Sequence, residues 1–324
     1  MVHKKILVTG GLGFIGHNVV AQLQAQSLST VIVDVMTDYG IVPRAELTAL
    51  MRERAALIDQ TNLYLTDITE PNMEQVFRDH DIGSVIHLAS FPRQKVVNLN
   101  PVAGSRVMSE GLLNLLELSV RHSVERFVYV SSSMVYGDFA NAVEETAECQ
   151  PQGQYGIMKL AGEWLVRDYT RRTGLEHVIL RPSAVYGARD VEDRVISQFM
   201  MAAHRGGVLR VRGGGECLDF TDVRDTARGI VAASLCPAAA NQTYNITRGR
   251  GRSLEEAAEL VVRIVGRGQI QIQDRDPAFP SRGSLNIRRA QRDFGFDPTI
   301  DIEQGFEEYY RWITDTIRRT ATSV

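Results

Sequence analysis

Cysteine is scarce in this chain of 324 residues: there are three, Cys149, Cys217 and Cys236. They form no CxxC pair and no Cys/His ligand spacing, which argues against a disulfide framework and against a structural zinc or other metal site. Long apolar runs are also missing. None approaches the ~18 residues of a transmembrane helix, so no membrane partner is expected. Met1 to Gly10 leads straight into a strand without the apolar core of a signal peptide, and the expectation is a cytoplasmic protein. A basic surplus is absent too. Lys and Arg number 36 against 39 Asp and Glu, for a net charge of −3, which argues against nucleic acid as a general partner. What is present is apolar material for a large core, at 44% of residues with 23% charged. At about 150 residues per domain, the length suggests about two domains.

The first half alternates short apolar runs with longer amphipathic stretches. Ile6–Val8, Val31–Val33, Leu63–Leu65, Ser84–Leu88, Phe127–Val130, His177–Leu180 and Thr243–Thr247 read as strands. Phe14–Gln26, Met51–Ile58, Asn72–Asp79, Ser105–His122 and Tyr155–Arg172 read as helices. Strands apolar at successive positions are buried on both faces, which means a parallel sheet covered by helices. The βαβα order gives a doubly wound α/β fold. After Leu180 the pattern changes, with Gly and Arg enriched in Gly206–Gly215 and prolines at Pro277, Pro280 and Pro298. The expected division is a first domain of residues 1–181 and 219–252, and a smaller lobe of residues 182–218 and 253–324. Helices Ser105–His122 and Tyr155–Arg172 carry wide apolar faces, which pack on the sheet or form a dimer interface.

Thr9-Gly10-Gly11-Leu12-Gly13-Phe14-Ile15-Gly16 follows the first strand and opens a helix. Gly11, Gly13 and Gly16 satisfy GxGxxG; Gly10, Gly13 and Gly16 satisfy GxxGxxG. Glycines here permit a tight turn and close approach of a pyrophosphate to the helix N-terminus. Asp34 ends the second strand, where a carboxylate accepts hydrogen bonds from an adenosine ribose. Its charge repels a 2′-phosphate, which points to NAD rather than NADP. Asp67 and Ile68 follow the third strand. Asp67 either reaches the adenine amino group or caps the next helix.

Tyr155 and Lys159 stand four apart on a helix and share one face. A phenol of pKa near 10 is a poor base at neutral pH, and lowering it by about three units requires about 4 kcal/mol. A cation about 4–5 Å away supplies roughly 3–4 kcal/mol at an effective dielectric of 20. Lys159, aided by a positive nicotinamide, is the right size of effect to give a phenolate that takes a proton from a sugar hydroxyl. Ser131-Ser132-Ser133 ends the fifth strand, at the sheet edge where hydroxyls face a cofactor crevice. His87 reads as a structural histidine and His17 as solvated or a helix contact. Nothing near Cys149 lowers its thiol pKa.

With these motifs in order, the chain resembles the extended short-chain dehydrogenase/reductases, the NAD-dependent epimerase/dehydratase family. The resemblance runs through TGGLGFIG (Thr9–Gly16), HLAS (His87–Ser90), SSSMVYG (Ser131–Gly137), YGIMK (Tyr155–Lys159), LRPSAVYG (Leu180–Gly187), DFTDVRD (Asp219–Asp225) and RGSLNIRRA (Arg282–Ala290). It implies a Rossmann-type domain with a smaller C-terminal α+β substrate-binding lobe, bound NAD, a nucleotide-sugar substrate, and a homodimer through the two apolar helices. Carried over residue by residue, it makes Ser132, Tyr155 and Lys159 catalytic. Gly10, Gly13, Phe14, Ile15, Gly16, Asp34, Asp67, Ile68, Leu88 and Ala89, with Tyr155 and Lys159, would hold the cofactor. Ser90, Ser133, Arg212 and Arg282 would meet the substrate.

Departures narrow the reading. Sugar 4,6-dehydratases carry an acidic pair directly after the catalytic Ser/Thr; here the positions are Ser133 and Met134. The pattern is closer to the 4-epimerases. Ala184, Leu218 and Met108 replace an Asn, an Arg and an Asn common in the family, while Arg189, Arg210 and Arg212 add charge near the cleft. The expected function is a nucleotide-sugar epimerase. The alternatives are a net dehydrogenase or reductase of a sugar or small hydroxy substrate on the same residues, and a non-catalytic NAD-sensing protein.

Overall fold

The structure, a computed structural model, describes residues 4–40, 42–190, 193–277 and 279–322. The expected start at Met1 and the last two residues of the second lobe, with 191, 192 and 278 inside it, lie outside the described residues. The first part of the chain runs β1 (Lys5–Thr9), α1 (Gly16–Ala25), β2 (Thr30–Asp34), α2 (Arg44–Ala55), β3 (Leu63–Leu65), α3 (Met73–Asp79) and β4 (Ile82–His87). Next come α4 (Arg93–Leu99), α5 (Pro101–Ser105), α6 (Leu112–Arg121), β5 (Arg126–Val130), α7 (Gly153–Thr173) and β6 (Glu176–Arg181). Then follow β7 (Ala184–Tyr186), α8 (Val195–His204), β8 (Val208–Arg212), β9 (Cys217–Leu218), β10 (Phe220–Asp222), α9 (Val223–Leu235) and β11 (Gln242–Asn245). The chain ends with β12 (Arg252–Ser253), α10 (Leu254–Val265), β13 (Gln269–Gln273), α11 (Arg288–Phe294) and α12 (Ile302–Thr322).

Seven parallel strands form one sheet in the order β11-β6-β5-β4-β1-β2-β3. Successive strand residues face opposite layers, and both layers are apolar. Ile6, Val8, Val128, Val130, Val178 and Leu180 join a core with α1 and α9. Leu7, Val31, Val33, Phe127, Tyr129 and Ile179 join the opposite core with α3, α6 and α7. This is why the strands read as unbroken apolar runs. The strand order reverses between β1 and β4, so a crevice opens there at the carboxyl ends of the strands.

A separate core collects Phe199, Met200, Leu209, Val211, Ala257, Val261, Phe306 and Tyr309 from α8, β8, α10 and α12. Helix α10 begins with a reciprocal cap: Glu256 N–H donates to Ser253 Oγ at 3.0 Å, and Ser253 N–H donates to Glu256 Oε2 at 2.8 Å. Two features differ from the sequence expectation. Ile287, Ala290 and Phe296, expected in the second lobe, pack on the first core beside α9, because this short helix has an apolar face and that core has an open flank. The single helix expected over Ser105–His122 is interrupted by a wide turn at Arg106–Gly111 before α6 starts. Gly111 lies against Ile68, where a β-carbon would come within 2.6 Å of its side chain. Such wide turns recur near functional sites.

Candidate active site

One cleft of about 1300 Å³ runs from the glycine loop, across the ends of β4 and β5, to the Arg210 and Arg212 side of β8. Its first wall is the turn after β1. Gly10 has φ +72°, and a β-carbon there would lie 2.8 Å from the backbone nitrogen of Ala89. A β-carbon on Gly13 would lie 2.9 Å from the Gly10 carbonyl oxygen. Phe14, Ile15 and Gly16 follow as α1 begins, and all three line the cleft. The turn therefore presents bare backbone and a helix N-terminus, the arrangement that receives a pyrophosphate.

Asp34 closes the far end of this wall. Its Oδ2 accepts the Leu12 N–H at 2.9 Å and its Oδ1 accepts the Met36 N–H at 2.8 Å. Each oxygen keeps a lone pair for a ribose hydroxyl. Burial raises its pKa, opposed by the backbone N–H donors and Arg54. Arg54, buried in α2, donates to the carbonyls of Leu12 and Arg189. Asp67 lines the cleft, and its Oδ1 accepts from both the backbone N–H and the hydroxyl of Thr69, at 2.9 and 2.8 Å. It thus caps its own turn; the helix that follows starts at Met73, and Asn72 precedes it. Ile68, Leu88, Ala89 and Ser90 complete this side. The residues present fit NAD: a glycine cradle that a β-carbon would fill, a carboxylate at the end of β2, and space for both nucleotides.

The three serines after β5 separate by their partners. The Ser131 hydroxyl donates to Glu163 Oε1 at 2.7 Å, under the sheet edge. The Ser133 hydroxyl donates to Ser183 Oγ at 3.1 Å. Ser132 has its Oγ beside the Tyr155 hydroxyl, and accepts the Met134 N–H at 3.2 Å. The Tyr155 ring packs with Phe91, Val96, Val97 and Met108. One turn on, the Lys159 Nζ donates to the Val130 carbonyl at 2.9 Å and stands 5.9 Å from the centre of the Tyr155 ring. The structure thus brings Ser132, Tyr155 and Lys159 together at the crevice.

The electrostatics differ from the expectation in one respect. Burial outweighs every stabilising group and raises the Tyr155 pKa; Ser132, Arg194 and the Arg93 N–H act the other way. Lys159 is itself affected: burial pushes its pKa down to about 8, with Glu163 opposing. The ammonium points at a carbonyl beneath the tyrosine, so its field on the phenol is weaker than a direct pair would give.

On the other wall, Arg282 is half-buried, and its Nε is a buried donor with no hydrogen-bond partner among the described residues. Burial lowers its pKa to about 10, opposed by Glu216. Arg212 is exposed and 3.6 Å from Asp276. Ala184 and Leu218 line the same wall. Arg189 does not add charge here; it pairs with Glu53 of α2 at 3.2 Å. His87 is buried, its Nδ1 hydrogen-bonded to the Thr9 hydroxyl at 2.8 Å, and burial lowers its pKa to about 3. His17 is buried rather than solvated, with Nδ1 bonded to the Gly13 carbonyl at 2.9 Å. Cys149 carries a pKa raised by burial. Arg93, Asp193, Arg194 and Arg54 also line the cleft. Charged residues scattered over three segments give no local pattern, and the sequence carries no signal that they meet.

The order of these features along one crevice can be compared with known proteins. The NAD dependent epimerase/dehydratase family matches residues 6–247.

The chain belongs to the NAD dependent epimerase/dehydratase family.

The fold is the Rossmann-like fold of that family. It is 28% identical to the putative UDP-glucose 4-epimerase of Methanocaldococcus jannaschii, over 97% of this chain and 99% of that protein. It is 27% identical to a dTDP-glucose 4,6-dehydratase of an Actinoplanes species, over 95% and 97%. The UDP-glucuronic acid 4-epimerase of Bacillus cereus, solved with UDP-glucuronic acid and NAD, superposes with a TM-score of 0.87. That pair shares 26% identity over 96% of this chain and 99% of the other. The cofactor is NAD. Among the described residues, no helix is long and apolar enough to cross a membrane.

Proposed function

We propose that this protein is an NAD-dependent 4-epimerase of a nucleotide-activated sugar. The observation that carries this reading is the meeting of Ser132, Tyr155 and Lys159 at the crevice, with Ser133 and Met134, not carboxylates, directly after Ser132. Elimination of water from a 4-keto sugar needs an acid and a base poised at the neighbouring carbons. The positions where dehydratases carry them hold a hydroxyl and a thioether.

In this reading, the turn Gly10–Gly16 holds the pyrophosphate of NAD, Asp34 the adenosine ribose, and Lys159 the nicotinamide ribose. When bound, NAD supplies the two-electron acceptor that takes the C4 hydrogen of the sugar and returns it to the opposite face, and its positive ring lowers the pKa of the nearby phenol. Tyr155 receives the proton of the C4 hydroxyl, with Ser132 sharing that proton as the oxygen becomes a carbonyl. The keto sugar turns over, and Tyr155 gives the proton back. Ser90 and Ser133 face the sugar. Arg282, with a buried unpaired Nε, takes the diphosphate, as a fixed, always-charged fork suits phosphate oxygens; Arg212 adds charge beside it.

The exposed apolar residues Leu113 and Val120 of α6 and Ile157 and Trp164 of α7 recur at seven-residue spacing. They support a homodimer through these two helices. Light scattering of Trp164→Glu should give a monomer where the parent gives a dimer.

The test of the function is proton NMR of the purified protein with UDP-, dTDP- and GDP-sugars. Slow formation of a C4 epimer without keto product supports the reading; accumulation of a 4-keto-6-deoxy sugar, or net reduction of added NAD, overturns it.

A further inference from the structure

Between Asp34 and Gly40 the chain leaves β2 through two sharp bends. Met36 has φ +50° and Gly40 has φ +68°, both in the left-handed region. A carboxylate pins each bend: Asp34 Oδ1 accepts the Met36 N–H at 2.8 Å, and Asp38 Oδ1 accepts the Gly40 N–H at 2.7 Å. The Met36 side chain packs on the first core, so the base of the segment is fixed. Its tip is Tyr39. The phenol donates to the Ser90 carbonyl at 3.3 Å, and the ring meets the Phe91 ring edge-on, with centroids 4.9 Å apart.

Sheet order gives this contact its meaning. Strands β2 and β4 lie on either side of β1. Tyr39 belongs to the segment after β2, and Ser90 and Phe91 to the segment after β4. A contact between them spans the carboxyl end of β1, where the turn Gly10–Gly16 is built to receive a pyrophosphate. Tyr39, Ser90 and Phe91 line the same cleft as that turn. The Tyr39 side chain is half-buried, with Asp38 and Gly40 exposed on either side, so it lies at the mouth of the cleft. We propose that Tyr39 is a bar across the cofactor site: tied to Ser90 and Phe91, it closes the mouth over the pyrophosphate position, and NAD enters and leaves only when that contact opens. The contact is of a size that can open. One hydrogen bond and one aromatic pair favour the closed arrangement by roughly 10–100-fold, and lids of this kind move in microseconds to milliseconds.

This inference rests on NAD as the cofactor and not on which sugar is turned over, so its test needs no substrate. Stopped-flow fluorescence of NADH reads both directions. Displacement of bound NADH by excess NAD gives release, and mixing of cofactor-free protein with NADH gives uptake. A bar slows entry and exit together, whereas an ordinary ligand contact slows exit alone. Tyr39→Ala is expected to release NADH roughly 10–100-fold faster than the parent and to take it up at least about 5-fold faster. Tyr39→Phe keeps the ring and the fold and loses only the hydrogen bond; both rates should rise by about 2–10-fold. Faster release without faster uptake, or no change in either rate, would overturn the proposal. A failure of epimerase activity with this pattern intact would count against the function and not against the bar.

Discussion

The Lys159 ammonium donates to the backbone carbonyl of Val130 at 2.9 Å and stands 5.9 Å from the centre of the Tyr155 ring. A cation held there is expensive, since burial pushes its pKa down to about 8 from 10.5. The folded state therefore binds fewer protons than the unfolded chain between those values. Wild-type stability is predicted to rise as pH increases from about 8 to 10.5 on this account. Lys159→Met should remove the cost. At neutral pH it should stabilise the protein by about 1–2 kcal/mol after loss of the carbonyl hydrogen bond, while turnover falls by about 10²–10⁴-fold. The stabilisation should shrink above pH 8. Thermal melts from pH 6 to 10.5, paired with turnover assays, check both signs; a variant less stable at every pH would contradict this reading.

A second prediction concerns the ion pair beside the end of β5. Arg181 donates from Nε and Nη2 to the two oxygens of Glu163, at 2.9 and 2.7 Å, and both are buried. Ser131 adds a third donor to the same carboxylate. Removing Arg181 leaves the buried Glu163 carboxylate with the partly exposed Arg167, at 3.2 Å, as its counter-charge. Arg181→Met should cost about 3–5 kcal/mol, whereas Arg181→Met with Glu163→Leu should cost less than Arg181→Met alone. Denaturant unfolding of the three variants measures this.

Arg282 gives the third. Its unpaired, buried Nε has no structural duty among the described residues. Arg282→Ala should leave the melting temperature within a few degrees of the parent and raise the KM for a nucleotide sugar by roughly 10–100-fold, the worth of one or two charge-assisted hydrogen bonds. An unchanged KM would remove Arg282 from the substrate site.

Much of the first domain was legible because its strands are buried on both faces and the glycine turn, Asp34 and the Tyr155–Lys159 pair are local signals. The second core was not. Strand β8 alternates buried Leu209 and Val211 with exposed Val208, Arg210 and Arg212, so it reads as a polar Arg-rich stretch. Helix α12 did leave a trace, since Ile302, Phe306, Tyr309 and Ile313 recur at helical spacing and are all buried. The break at Arg106–Gly111 follows from Gly111 meeting Ile68, a contact between distant segments. For the site, the run of three serines alone left open which one serves Tyr155, and the resemblance pointed to Ser132; the structure pairs Ser131 with Glu163 and Ser133 with Ser183 and leaves Ser132 beside Tyr155.

The most direct test follows the hydrogen at C4. A nucleotide sugar carrying deuterium at C4, incubated in ordinary water with the protein and NAD, should yield its C4 epimer with the deuterium still on C4. That result is predicted if the same hydrogen leaves and returns within one closed site. An epimer that has lost the label to solvent, or a product with the label moved to C6 and oxygen lost, would contradict the account.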